Sequence, residues 1–424
     1  MPVCSNRSLK DDVASLRAYL QSQMPAALEW LRQMVGINSF TLNRTGVERL
    51  ARLTAEVFAP LGFAAELVPS TNPAFGSHLI LSRPGTSSRS IAMVSHLDTV
   101  FPPEEEERNN FHWQADGDRI YGPGTQDIKG GTVMMWLVLS ALQTQARQIF
   151  EQINWKLFWN SSEEQFSPDF GDLCRRHFDQ NTVAALVFET EGRMAGKGED
   201  CSLMVVARKG RAAWRVTVAG RGAHAGGKHG QGANAIVQLG QTLQRIAALT
   251  DYGRQLTVNV GTIRGGTVLN RVPHEAVAEG EMRAFDPQVY AQAKAALLAL
   301  NGPGEVRSPA DGFRCQVKVE ILSETRPWPR NPATDRLLSI WQQAGHAAGV
   351  EMDCEERGGL SDGNLIWDAV PTLDGLGPWG DNDHCSERSE DGSKLPEFVE
   401  ISSFVPKAIV NAIAMEKLAT GSSE

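Results

Sequence analysis

Three short apolar runs, each closing on a histidine or a carboxylate, constrain what this chain can fold into more than any other feature. They are "SIAMVSHLD" (Ser90–Asp98), "WKLFWNSSEE" (Trp155–Glu164) and "AALVFETEG" (Ala184–Gly192). The first is apolar at consecutive positions, as in a strand covered on both faces, where an exposed sheet would alternate. "SHLILSRP" (Ser77–Pro84) reads as a further strand. Between these runs, "TVMMWLVLSAL" lies in a helix expected over Gly130–Leu142, apolar almost all round and therefore central. Strand, helix and strand in alternation predict an α/β domain with a mostly parallel sheet and helices on both faces.

The flanks and the middle differ in pattern. Helices are expected over Leu9–Val35, Thr45–Leu61, Ala333–Ala348 and Ile401–Leu418. The acidic run Glu104–Glu107 reads as a solvated loop. From Lys209 to Leu322 the order becomes strand, helix, strand, strand, helix, strand, which matches a ferredoxin-like unit. The expected organisation is an α/β domain over 1–208 and 323–424, interrupted by an inserted α+β domain over 209–322.

Composition narrows the function. A formal net charge of -9 leaves no basic surplus to neutralise phosphates, so a general nucleic-acid partner is not expected. The six cysteines (Cys4, Cys174, Cys201, Cys315, Cys354, Cys385) form no C-x-x-C pair, which points away from a disulfide scaffold or a thiolate zinc site. No signal-peptide pattern and no apolar stretch of membrane-spanning length is visible, so the expectation is a cytoplasmic protein with no membrane partner.

The chemistry is concentrated where the apolar runs stop. His96 and Asp98 lie in "SHLDTVFP", Asp127 in "GPGTQDIKGG", Glu163 and Glu164 in "SSEEQF", Glu189 in "FETEG" and His384 in "DNDHCSE". The C-terminal edge of an open α/β sheet is where ligands bind. Oxygen and imidazole donors without thiolate suit one or two divalent ions used for hydrolysis. Taken singly, each has a plainer explanation. Asp127 could cap the following helix, Glu163–Glu164 could be a solvated pair, and Glu189 or His384 alone carries little. Capping does not account for the glycines on both sides of Asp127. Asp98, two residues after His96, is placed to fix the tautomer of a ligating imidazole. Of two neighbouring carboxylates, one can hold metal while the other moves a proton.

In this order, "HLD", "GTQDIKGG", "EE", "FET" and the late histidine resemble the zinc metallopeptidase family of glutamate carboxypeptidase, acetylornithine deacetylase, succinyl-diaminopimelate desuccinylase and aminoacylase. The resemblance implies a zinc-exopeptidase-like fold with an inserted dimerisation domain. It also implies two Zn2+, with Co2+ or Mn2+ able to substitute. Asp127 would bridge the two ions, His96 and Glu189 would complete one site, and Glu164 and His384 the other. Glu163 would be the general base, with Asp98 behind His96. His224, in "GRGAHAGGKHG", would reach the partner subunit's active site in a homodimer as an oxyanion donor. Arg326 and Asn270 match positions that anchor a substrate carboxylate, Arg283 is a third candidate for that role, and "GGLSDGN" (Gly358–Asn364) resembles a glycine-rich loop near it, with Asp362 as a loop or capping residue. A glutamate at position 189 leans toward the carboxypeptidase and deacylase members. The expected activity is hydrolysis of the amide bond of a small-molecule N-acyl amino acid or short peptide, releasing glutamate or a similar acidic amino acid. The alternative is an N-acyl-amino-acid deacylase or dipeptidase of the same family.

Overall fold

The computed structural model of the chain describes residues 8–165, 167–194 and 201–421. Its central sheet contains β1 (Ala64–Pro69), β2 (Ser77–Arg83), β3 (Ser90–His96), β4 (Asn154–Asn160), β5 (Thr182–Val187) and a short edge strand, Thr372–Leu373. They lie in the order β1-β2-β4-β3-β5-edge. From β4 to the edge strand every pairing is parallel, whereas β2 is antiparallel to both of its neighbours. β3 is buried along its whole length. Its Ile91 and Met93 face one apolar core, shared with helices Val13–Val35, Gly130–Gln145 and Phe404–Thr420. Ala92 and Val94 face a second, shared with Phe170, Leu173 and Ile366. The expected largely parallel α/β class, covered on both faces, is what the sequence folds into.

Register is what matters for the site. The parallel pairing sets His96 opposite Asn160 and Val94 opposite Val187. The ends of β3, β4 and β5 therefore lie side by side, and the residues that follow each strand emerge together.

The chain divides into two compact units: one takes the chain up to Val206 with Arg330–Glu356 and the chain from Ser361 on, the other Ala207–Pro329 with Arg357–Leu360. The second unit is built on β6 (Gly210–Ala219), β7 (Thr257–Gly265), β8 (Glu275–Ala284), β9 (Gly302–Arg307) and β10 (Arg314–Thr325), in the order β7-β8-β6-β10-β9, all antiparallel. Helices Ala235–Ala247 and Pro287–Leu298 complete it. β6 alternates strictly between buried and half-buried residues, as a sheet with one covered face requires.

Some expectations need correcting. β9 was not anticipated, because "GPGEVR" carries glycine and proline, which a strand tolerates only at a sheet edge, where β9 lies. The acidic run is not a loop: proline at its first position opens a short helix, Pro103–Arg108. Cys174, Cys315, Cys354 and Cys385 are free thiols, and Cys4 lies outside the described residues.

Candidate metal centre

β3 ends on His96, which is 2% exposed. Its Nδ1–H donates to the Asp98 backbone carbonyl at 3.0 Å. A carbonyl can only accept, so in the neutral ring the Nε2 lone pair is left for a cation. Nε2 faces Asp127 Oδ1 at 2.9 Å and Glu189 Oε1 at 3.8 Å. On the other side of Asp127, its Oδ2 lies 3.3 Å from His384 Nε2, which is 3.2 Å from Glu164 Oε2. Asp127 thus turns one carboxylate oxygen toward each group. At a tetrahedral ion with bonds of about 2.0–2.1 Å, neighbouring donor atoms stand about 3.3 Å apart. The observed separations scatter around that value, so the donor set fits two divalent ions sharing Asp127.

Asp127 reaches this position because of its neighbours. It sits in a tight turn, Thr125–Lys129, where the backbone of Asp127 and Ile128 is not helical and the peptide between them is cis. A helix follows at once, and a Cβ on its Gly131 would lie 2.0 Å from the Phe188 carbonyl oxygen. Glycine therefore lets the helix press against the end of β5, next to Glu189. Glu397, which sequence reasoning missed, fixes the turn from the other side. This buried carboxylate accepts from the N–H groups of Gln126 at 2.8 Å and Asp127 at 3.1 Å, while its own N–H donates to the Cys385 carbonyl at 2.8 Å. One residue thereby ties the Asp127 turn to the His384 loop. That loop needs tying, since both Asn382 and His384 adopt positive φ (64° and 61°).

Asp98 meets His96 through its backbone carbonyl and not, as expected, through a hydrogen bond from its carboxylate. Its Oδ1 is 3.6 Å from His96 Nδ1, beyond hydrogen-bond length. The carboxylate instead accepts from Thr41 Oγ1 at 2.6 Å and from the N–H groups of Glu163 (2.9 Å) and Glu164 (3.2 Å). It anchors the turn that presents both glutamates.

The electrostatics are those of a site short of positive charge. Burial pushes the Glu163 carboxyl well above its usual range, with Asp362, Glu164 and Glu189 adding to the rise. Burial and Asp127 push Glu164 up to about 7. His384, bonded to Asp127 and Glu164, is raised to about 11. Burial disfavours the charged form of His96, yet Asp127 and Asp98 raise it well above its ordinary value. Asp127 itself is held below the carboxylate range, because His384 and His96 outweigh its burial. Cations at the two donor groups would relieve the crowding. Asp383, not singled out from sequence, also puts a carboxylate oxygen within 4.8 Å of ligand atoms of Asp127 and His384.

The remaining expected residues lie in the second unit. His224 is exposed, and its Nδ1 accepts from the N–H groups of Gly226 (3.2 Å) and Gly227 (3.0 Å), so the neutral ring carries its proton on Nε2. Asn270 is exposed, and its backbone carbonyl accepts from the Ala225 N–H at 2.9 Å. Arg326 is exposed just after β10. Arg283 is engaged by Glu281 at 2.7 Å and by the Gly358 carbonyl at 2.9 Å, so it fastens the start of the glycine-rich loop.

Comparison with known proteins agrees with this picture. Residues 206–301 match the peptidase dimerisation domain. Carboxypeptidase G2 of Pseudomonas sp. is 25% identical over 396 residues, covering 92% of this chain and 88% of its own. A tripeptidase from Staphylococcus aureus superposes with a TM-score of 0.70 at 19% identity, over 94% of this chain and 99% of the other. A dinuclear metal binding peptidase of the M20 family from Bacillus subtilis gives 0.62 at 13% identity, over 94% and 99%. The class that fold and site define is a metallopeptidase or amidohydrolase. The chain is a relative of the M20 metallopeptidases, and a hydrolase.

Proposed function

We propose that the protein is a di-zinc hydrolase that cleaves the amide bond of an N-acyl or peptidyl amino acid bearing a free carboxylate, releasing glutamate or a similar acidic amino acid. The observation that carries the reading is Asp127, with one oxygen 2.9 Å from His96 and the other 3.3 Å from His384. His96, Asp127 and Glu189 would hold one ion, and Asp127, Glu164 and His384 the other. When bound, the ions supply Lewis acidity, polarising the scissile carbonyl and making water easier to deprotonate. Co2+ or Mn2+ would also suit imidazole and carboxylate donors.

The rest falls to the chain's own groups. Glu163 accepts the proton of the attacking water; its burial raises its proton affinity, which suits a base that must next act as an acid. It then delivers that proton to the departing nitrogen, without which an amine leaves poorly. Asp98 holds Glu163 in place by its backbone. His224, with its proton on Nε2, would donate to the oxyanion in a dimer, and Arg326, Asn270 and Arg283 are proposed for the substrate carboxylate. Homodimerisation through the second unit is supported by the open edge of β7 and its Ile263, 58% exposed. Among the described residues no helix is long and apolar enough to cross a membrane.

The test is turnover of N-acyl-glutamates, N-acyl-aspartates and neutral analogues, before and after exhaustive chelation. Acidic substrates should be preferred and activity lost with metal. Turnover that survives metal removal contradicts the reading, and a preference for neutral N-acyl amino acids favours the deacylase alternative.

A further inference from the structure

Asp362 has no evident reason to be charged. It caps no helix, since its side chain makes no bond to the turn Gly363–Ile366 that follows. It is 2% exposed. Oδ1 accepts from Asn160 Nδ2 at 2.7 Å, and Oδ2 has no hydrogen-bond partner among the described residues. Leaving a buried oxygen unpaired is costly, and more so for a charged group, so some other gain must retain it.

Asn160 shows what that gain is. It ends β4 beside His96. With Nδ2 committed to Asp362, its Oδ1 accepts from Ser162 N–H (3.0 Å) and from Ser167 Oγ (3.0 Å). Flipping the amide would face Nδ2 to the Ser162 N–H and Oδ1 to a carboxylate, so Asp362 and the Ser162 N–H together fix which way Asn160 points, Asp362 from the amide end. The outcome is three consecutive N–H groups taken by side-chain oxygens: Ser162 by Asn160, and Glu163 and Glu164 by Asp98. Among the described residues, Asn160 Oδ1 is the acceptor for the first of these.

We infer that Asp362 is a positioning residue for amide hydrolysis, acting through the orientation of Asn160 on the turn that carries Glu163. This rests on the function proposed above. Because Oδ2 is buried, Asp362 does not touch substrate, and its effect is indirect. Burial raises its carboxyl to about 7, in keeping with a site that tolerates this group for its acceptor oxygen.

The experiment compares Asp362→Ala, Asp362→Asn, Asn160→Ala and the double alanine variant, metal-loaded, on an N-acyl-glutamate that the unaltered enzyme turns over. Asp362→Ala should lower kcat by about 10–100-fold with KM changed less than about threefold. Asp362→Asn keeps an acceptor oxygen and should retain kcat within about threefold. The double variant should be no worse than the worse single one. Amide hydrogen exchange at Ser162–Glu164 should quicken in Asp362→Ala and not in Asp362→Asn. Unchanged kcat and exchange in Asp362→Ala, equal loss in the alanine and asparagine variants, or additive losses would overturn the inference. If the unaltered enzyme is inactive on every substrate, the proposed function fails, while the exchange measurement still decides the positioning role.

Discussion

At the scale of single residues, Glu163 is proposed to transfer the proton, and the residues around it hold it there. Glu163→Gln keeps size and hydrogen bonding but removes the base, so kcat should fall by about 10²–10⁴-fold while metal content and melting temperature stay close to those of the unaltered protein. Steady-state kinetics beside metal analysis checks this. A second residue is informative about stability. Asp169 accepts from Thr71 N–H and Ser70 Oγ, both at 2.8 Å, and faces His78 Nε2 at 3.3 Å. Burial would raise its carboxyl, but His78 and these donors outweigh burial and hold it below the usual range. A depressed folded pKa gives stability that is present above the unfolded value of about 3.9 and is lost as pH falls through the folded one. Asp169→Asn should therefore cost about 1–3 kcal/mol near neutrality, with the gap to the unaltered protein closing under strong acid in denaturant titrations. Of the proposed metal ligands, His96, Glu164 and Glu189 were legible because each follows an apolar, strand-like run, whereas Asp127 and His384 were marked only by their place in the order of motifs. The roles of Glu397 and Asp362 were not legible. Their roles are hydrogen bonds to Asp127, 270 residues away, and to Asn160, 202 residues away, which no local pattern marks.

At the scale of elements, the centre depends on strand ends and on one close approach. The buried strands were readable because consecutive apolar residues fit a doubly covered sheet, and parallel register then aligned their ends. β9 was not readable, since its pairing partner, not its composition, makes it a strand. Helix capping left the glycines flanking Asp127 unexplained, and the close approach at Gly131 gives one of them a physical reason. Gly131→Ala sets a methyl 2.0 Å from the Phe188 carbonyl oxygen, so the helix must shift. The cost should be about 1–3 kcal/mol, as for overpacking elsewhere, accompanied by weaker metal retention. Calorimetry and metal titration of this variant check both effects. A variant as stable and as well loaded as the parent would show that the close approach does not position Asp127.

At the scale of the whole molecule, the second unit has a covered core and an open sheet edge, and Val268 and Leu269 join Ile263 among its exposed apolar residues. Such a surface should be occupied by a second copy, and sedimentation should report a dimer; replacing Ile263 with lysine should shift it toward monomer. If His224 serves the partner's centre, that variant should lose kcat with its metal complement intact. The ions themselves can be counted. Zinc-loaded protein, freed of excess metal and analysed for metal per chain, should hold two equivalents, and His384→Ala about one. A single equivalent in the unaltered protein, or none, would contradict a two-ion centre sharing Asp127.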